Sequence, residues 1–217
     1  MEASTPAQPP PEQPPPEQPP PAGGPAPGAY PVRLDAQRQD EYHRFLPLVK
    51  WLLAFPHYVV IFFLAIGVIF AKIVAFFAVL FARRYPRGIY DYVAGVIRWS
   101  WRVQSYVYLL RDEYPPFTLD EDPSYPATFE IDYPEEIDRW RPLVQWLLAI
   151  PFLFVAGILV AVAGVVAFIG IFVILFTKEL PKGMFDLILI PYRWQVRGTA
   201  YSFFMVDRYP PFEWEQD

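Results

Sequence analysis

The sequence predicts a mainly α-helical membrane protein that consists of two tandem copies of one unit. Each copy is expected to contain a long hydrophobic helical segment and an amphipathic interfacial helix, with short β segments at its flanks. Three observations carry this prediction. Of the 217 residues, 54% are hydrophobic and only 19% are charged. Each half contains a stretch of more than 30 almost uncharged residues, and the sequence aligns with itself after a shift of 95 positions.

The chain begins with a proline-rich segment, residues 1–28, which contains 12 of the 27 prolines and the string PPPEQPPPEQPPP. Proline removes backbone donors, and the segment has almost no apolar side chain to bury. We therefore predict a disordered tail, partly in the polyproline II conformation. A solvated spacer is favoured over a ligand for a recognition domain.

The duplication follows a single register without a gap. The aligned strings are RFLPLVKWLLAFP (44–56) with RWRPLVQWLLAIP (139–151), YPRGIYD (85–91) with LPKGMFD (180–186), and DEYPPF (112–117) with DRYPPF (207–212). Chance does not maintain one register over such a length, so the chain is a tandem repeat. We divide it into a first membrane repeat at residues 30–119, an acidic linker at 120–124 and a second membrane repeat at 125–217.

The hydrophobic stretches cover about residues 46–82 and 143–177. Such a run is typical of a membrane span, but one straight helix would be about 52–55 Å long against a hydrocarbon core of about 30 Å. Two architectures fit: a helical hairpin, or one span extended by an interfacial turn before Pro56 and Pro151. Basic residues flank both ends of each stretch and tend to stay in the cytoplasm. This favours hairpins bent near residues 65–67 and 160–164, in a multi-pass protein of the cell membrane with cytoplasmic termini.

Three polar residues, Lys50, His57 and Lys72, interrupt the first stretch. In a hairpin, Lys72 follows the bend and its ammonium reaches the headgroups by snorkelling. Because charges deep in lipid are usually functional, a role in a polar path is the other interpretation. The repeat partners of Lys72 and His57 are Ala167 and Phe152. We expect His57 to be a polar anchor rather than a catalyst.

A turn motif follows each stretch, with Pro86 and Gly88 in the first repeat and Pro181 and Gly183 in the second. An amphipathic helix is predicted next. Its arginines and tryptophans are Arg98, Arg102, Trp99, Arg193, Arg197 and Trp194. Arginines on a narrow polar stripe beside tryptophans favour a helix in the interface plane, and passage across the bilayer is the second option. The arginines would bind lipid phosphate, act as ordinary anchors, or pair with Asp91 and Asp186.

Short β segments are predicted beside these helices. PFTL (116–119) and PFEW (211–214) follow double prolines, and they would pair with VRLD (32–35) and TFEID (128–132). The latter two alternate apolar and polar residues, as half-buried strands do. The result would be a small β cap on the cytoplasmic side.

The composition excludes several classes of chemistry. Without cysteine there is no disulfide, no Cys-based zinc site, no iron–sulfur cluster and no thiol nucleophile. Two histidines leave little for a metal site, and the sequence has neither a nucleophile elbow nor a phosphate-binding glycine loop. The net charge of −5 argues against nucleic acid as a partner. We therefore predict no catalytic residue, no metal and no cofactor.

Several motifs of the first copy resemble a known family. WLLAFPH (51–57), RYPRG (84–88), RWS (98–100) and DEYPPF (112–117) are similar to signatures of the actinobacterial integral membrane family of domain of unknown function 4389. The resemblance covers about residues 30–215 and includes the frequent tandem copies of that family. The second copy departs from the pattern at LPKG (180–183) and at Pro191. The resemblance implies a membrane protein and no particular activity.

The expected function is that of a non-catalytic integral membrane protein, a scaffold or accessory subunit that organises the cytoplasmic leaflet or a partner complex. Its expected partners are the lipid bilayer, anionic lipids included, and a second copy of the chain or another membrane protein. The alternative is a small transporter or channel component in which Lys72 and the arginine stripes line a polar path. A third hypothesis is an adaptor that acts through the proline-rich tail.

Overall fold

A computed structural model describes residues 29–212. The chain order of its elements is β1 (Val32–Ala36), α1 (Leu46–Leu53), α2 (Phe55–Ala82), α3 (Arg87–Val107), β2 (Ala127–Ile131), α4 (Arg141–Thr177) and α5 (Lys182–Ser202). The protein is thus mainly helical, with two long apolar helical segments and two short strands. The predicted disordered tail at residues 1–28 lies outside the described residues.

The long hydrophobic segments are continuous helices, so the predicted hairpins are wrong. α2 and α4 run without interruption through residues 65–67 and 160–164. These regions hold isolated glycines, and one glycine costs about 1 kcal/mol in a helix, less than the backbone hydrogen bonds that a bend would break. The first copy is interrupted only at Ala54, two residues before Pro56, where the alternative architecture places its turn, and backbone hydrogen bonds from Ala54 to Lys50 and from Tyr58 to Ala54 bridge the interruption. The second copy continues through Pro151.

The two strands come from different repeats and pair with each other. β1 and β2 are antiparallel, and Leu34 faces Phe129, its own repeat partner 95 positions later. Equivalent backbone hydrogen bonds extend the ladder at both ends, from Asp132 to Pro31 and from Gln37 to Pro126. The sheet centre therefore lies on a pseudo-two-fold axis that relates the repeats. The predicted pairing of 116–119 with 32–35 is wrong, because the strand of the other repeat occupies that edge.

The same pseudo-symmetry makes the long helices antiparallel. The backbone N–H of Tyr42, just before α1, donates to the carbonyl of Lys178 at the end of α4 (2.8 Å). The equivalent N–H of Ile137 donates to Arg83 at the end of α2 (3.1 Å). Each long helix thus begins beside the end of the other. Arg83 and Lys178 close their helices in the left-handed conformation, with φ of 57° and 61°.

The shorter helices form a middle layer. α3 runs antiparallel to α2, and the Tyr92 hydroxyl donates to the Leu64 carbonyl (2.7 Å). α5 packs on α4, and Gly198 comes so close that a Cβ there would lie 2.8 Å from atoms of Phe152 and Leu153. β2 covers α3, and β1 covers α5. The protein therefore has three layers: the sheet, the pair α3 and α5, and the long helices.

The turn motifs act as helix starts. Pro86 and Pro181 are the last residues before α3 and α5, with extended ψ angles of 124° and 141°. Gly88 and Gly183 are already helical, and a Cβ at either position would meet no neighbour within 4 Å. The proline ring and the missing N–H suit a helix start, where backbone donors have no intrahelical partner.

Candidate functional site

The main candidate site is the outer face of the long helices. In the first repeat Pro47, Lys50, Ala54 and His57 are buried, and the same stripe of one residue per turn continues to Ala71, Ala75 and Val79. The opposite side carries large apolar residues exposed along the whole length, such as Phe63, of which 66% is accessible. The second repeat follows the same pattern. We call these exposed sides of 46–82 and 141–177 together the apolar face.

The apolar face is too large for an ordinary soluble surface. Leu46–Ala82 and Arg141–Thr177 are each 37 residues long, and their most apolar stretches have mean hydropathies of 2.8 and 3.2. By length and composition, both could cross a membrane. Only 11% and 22% of those stretches are buried, whereas the core helix of a soluble protein would be mostly buried. Two such helices side by side expose a face of about 55 Å by about 20 Å.

Tryptophans and basic residues mark the ends of the apolar face. Trp51 and Trp140 are 65% and 68% exposed. The exposed basic residues at the helix ends that form no ion pair within residues 29–212 are Arg44, Arg84, Arg87, Arg139 and Lys182. Tryptophan and arginine both favour the headgroup region of a membrane. The predicted headgroup tryptophans, Trp99 and Trp194, are on the later helices, whereas the exposed Trp51 and Trp140 stand at the start of each apolar stretch.

Arg98 and Arg102 do not face lipid, which corrects the predicted interfacial stripe. Arg98 donates to the carbonyls of Phe129 (3.4 Å) and Leu119 (2.9 Å) and pairs with Glu121 (2.9 Å). Arg102 is only 2% exposed and donates to the carbonyls of residues 118 and 120. Burial, and then the neighbouring Arg98, lowers the pKa of Arg102. Both guanidinium groups hold the loop after α3 against the helix.

Arg193 and Arg197 repeat this arrangement in the second copy. Arg193 donates to the Leu34 carbonyl (2.9 Å), the equivalent of the bond from Arg98 to Phe129, and pairs with Asp35 (2.9 Å). Arg197 is buried with its guanidinium over the Tyr30 ring. The structure therefore brings Arg98 and Arg193 to the strand of the opposite repeat. α3 and α5 are middle-layer helices and not interfacial ones.

Trp99 and Trp194 are also buried, in matching aromatic clusters. In the first repeat the Trp99 indole donates to His57 Nδ1 (3.0 Å), and the His57 ring stacks on Phe117 at 3.8 Å between centroids. Phe152 takes the place of His57 in the second repeat and stacks on Trp194. His57 is fully buried, and its Nε2 has no hydrogen-bond partner among the described residues. The predicted boundary anchor is thus a core residue.

Lys50 was not singled out from the sequence and is the most deeply placed cation. It is 1% exposed, and its ammonium contacts the Asp112 carboxylate (2.7 Å) and the Arg111 carbonyl (2.5 Å). Its repeat partner Gln145 donates to the carbonyl of Val206, the equivalent of Arg111 (2.9 Å). The sequence did contain a signal for this site: the repeat partners Lys50 and Gln145 are both polar residues at the same position of an apolar stretch.

Lys72 lies at the edge of the apolar face. Its ammonium sits 4.4 Å above the Phe203 ring and 5.8 Å from the Phe204 ring. It lines a groove of about 390 Å³ with Trp146 and apolar residues of α2. The rings at the end of the opposite repeat's α5 therefore hold this cation.

The described part of the chain offers no metal site, because residues 29–212 contain no group of three or more potential His, Cys, Asp or Glu ligands. No curated protein and no solved structure matches the chain significantly. One family does match, and it matches twice, at residues 47–118 and 139–213. Each match begins near the start of a long helical segment and ends one residue after the YPPF motif that follows the middle-layer helix. The chain therefore belongs to the family described as Domain of unknown function (DUF4389), of which it contains two tandem copies.

Proposed function

We propose that the protein is a non-catalytic membrane protein, a scaffold or accessory component that organises the lipid leaflet to which it binds. The apolar face is the observation that carries the proposal. Its area is on the order of 1,000 Å² from the helix dimensions, whereas the largest apolar patch of a typical soluble monomer is about 300–600 Å². Exposed tryptophans and unpaired basic side chains at its ends suit headgroups, and anionic lipids best.

The polar interior supports a structural role. His57, Lys50 and the arginines of α3 and α5 are engaged by the chain's own rings, carbonyls and carboxylates. Arg98 and Arg193 make equivalent bonds to strand carbonyls, Lys50 and Gln145 donate to equivalent carbonyls, and Phe152 stacks in the place of His57. These shared contacts support a role of the polar residues in packing the two repeats.

The transporter or channel alternative has no specific observation in its favour. Its motivating residues are Lys72 and the arginine stripes, and they do not share a path. Lys72 lies by the apolar face, whereas Arg98 and Arg193 point to the sheet on the far side of the middle layer.

Vesicle binding tests the proposal. Purified protein mixed with liposomes of phosphatidylcholine and phosphatidylglycerol should float with them and should change their shape in electron micrographs. The variant F63E/I158E places two carboxylates at the centre of the apolar face, since Phe63 and Ile158 are repeat partners and both exposed. A charge among acyl chains costs up to about 2.5–3.5 kcal/mol on insertion scales, so two such charges should lower flotation at least tenfold.

The matched control is T128E, which adds a carboxylate to the exposed side of β2. It should float like the wild type. Equal flotation of F63E/I158E and the wild type, or bound vesicles of unchanged shape at every protein-to-lipid ratio, would refute the proposal.

A further inference from the structure

Along the axes of the long helices, the sheet lies at their middle. This position restricts the orientations that the protein can adopt in a membrane. Leu64 is the central residue of Leu46–Ala82, and its carbonyl accepts the hydrogen bond from Tyr92 of α3. Two residues earlier on α3, the Tyr90 hydroxyl donates to the carbonyl of Asp132, at the end of β2 (2.8 Å). One helix layer therefore separates the midpoint of the first long helix from the sheet.

The outer side of the sheet at this level is charged and exposed. Arg33 of β1 pairs with Glu130 and with Asp132, each at 3.0 Å, and these side chains are one third to more than half accessible. Glu121 is also exposed and is held by Arg98 of α3. A helix crossing the bilayer through its midpoint would place all of these charges at the depth of the acyl chains. Charged groups at that depth are strongly disfavoured, and the pseudo-two-fold axis imposes the same conflict on α4.

The length of the apolar face gives an independent indication. Leu52, Phe63, Phe70 and Phe81 are exposed and lie in one straight row, because intervals of 7 and 11 residues return a helix to nearly the same side. The row extends over 29 residues, or about 44 Å, beyond the hydrocarbon thickness of about 30 Å. Unpaired Arg44 and Arg84 stand past its two ends.

From this geometry we infer that both long helices lie parallel to the membrane plane, with the apolar face in the acyl-chain region of a single phospholipid leaflet and the sheet in water. The inference rests on the proposed function and replaces the predicted multi-pass topology with insertion from one side. In-plane helices of this kind are buried about 5–10 Å into the boundary between headgroups and acyl chains. Area is then added to one leaflet only, which is the physical basis of bending a bilayer.

Depth measurements on the full chain test the inference. The sequence lacks cysteine, so single cysteines at Leu52, Phe63 and Phe81 can carry a bimane fluorophore without further changes. The labelled proteins are added to preformed phosphatidylcholine and phosphatidylglycerol vesicles, and quenching by lipids brominated at different depths reports the position of each label. In-plane helices place the three labels within a few ångströms of one depth. Spanning helices would place Phe63 near the bilayer centre and the outer two labels up to about 44 Å apart along the normal.

A second measurement uses sidedness. Cysteines in place of Arg44, Arg84 and Thr128 should all react with a membrane-impermeant maleimide on intact vesicles. Protection of Arg44 or Arg84 alone, or protection of Thr128, overturns the inference, as does a depth gradient along the row.

Failure of the two proposals can be distinguished. Protein that does not float with vesicles refutes the proposed function itself. Protein that floats but shows a depth gradient refutes only the in-plane orientation. Labels at Phe63 that escape every lipid quencher and cross-link between chains would also overturn the inference, since the apolar face would then be covered by a second copy.

Discussion

The buried ion pair of Lys50 leads to a prediction about thermal stability. The equivalent residue of the second repeat, Gln145, serves as the control. The substitution K50M keeps the volume of the side chain and removes the ammonium. Asp112 then loses its cation, keeping only the backbone N–H of His43 on Oδ2 (2.7 Å), and the Arg111 carbonyl loses its donor. Breaking a buried pair from one side costs about 3–5 kcal/mol. For a protein of this size, Tm should fall by roughly 6–20 °C.

The second repeat shows what the site tolerates. K50Q copies Gln145, so the amide can still donate to the Arg111 carbonyl, as Gln145 does to Val206. We expect it to cost about 1–2 kcal/mol, and the double variant K50Q/D112N should recover part of that loss, since both members of the pair are then neutral and no buried charge is left. Q145M is the matched control: it removes a neutral donor, so its effect should be smaller than that of K50M.

Thermal unfolding in detergent, followed by tryptophan fluorescence, gives the Tm of the wild type and of each of these variants. A Tm of K50M within about 2 °C of the wild type would mean that the ion pair is not buried or is replaced by water, given the slope of about 2–4 °C per kcal/mol. A larger effect of Q145M than of K50M would contradict the reasoning from charge.

Three further predictions follow from the repeat and from burial. H57F copies Phe152 and removes a buried Nε2 without a partner among the described residues, but it also takes away the acceptor of the Trp99 indole N–H. The two effects oppose each other, so Tm should change little, whereas F152H should lower stability by about 1–3 kcal/mol. R193A removes two hydrogen bonds of a mostly buried guanidinium and should lower the free energy of unfolding by about 1.5–3 kcal/mol. R33A removes exposed ion pairs and should lower it by only about 0.2–1 kcal/mol. Equal chemical denaturation midpoints of the two variants would contradict this difference. Burial raises the pKa of Tyr125 to about 12, so the unfolded chain ionises first and stability should fall between pH 10 and pH 12, by roughly 1.4 kcal/mol per pH unit from this residue. The Y125F variant should show a shallower loss over that range, and an identical pH profile would show that Tyr125 is not the group responsible.

Much of the architecture could be predicted because it is written in local patterns. The repeat register predicted two tandem units, and the family match confirms both copies. The apolar stretches gave the long helices, and the alternation in VRLD and TFEID gave the two strands that the structure contains. Pro86 and Pro181 correctly marked a change of direction, since a proline suits the first position before a helix.

The candidate site could not be predicted in the same way. Arg98 and Arg102 form a polar stripe on a helix, and such a stripe looks the same whether its partner is water, a phosphate or a backbone carbonyl. The partner here is the opposite repeat, with β2 on α3 and the loop at residues 118–121 beneath it. The hairpin was inferred from the positions of basic residues, on the assumption that the helices cross the bilayer. That assumption concerns the orientation of the whole molecule, about which a charge count carries no information.

The sequence by itself determined the duplication, the helical segments and the amount of apolar surface, since each depends on residues close together in the chain. Only the tertiary structure decided which surface stays exposed and which charges lie behind it. The physical reason is the exchange of strands between repeats, which pairs Leu34 with Phe129 and sets the sheet at the midpoint of both long helices. Arg33 lies nearly a hundred residues before Glu130 and Asp132 in the chain, and folding places the three side chains together at the level where a spanning helix would be surrounded by acyl chains.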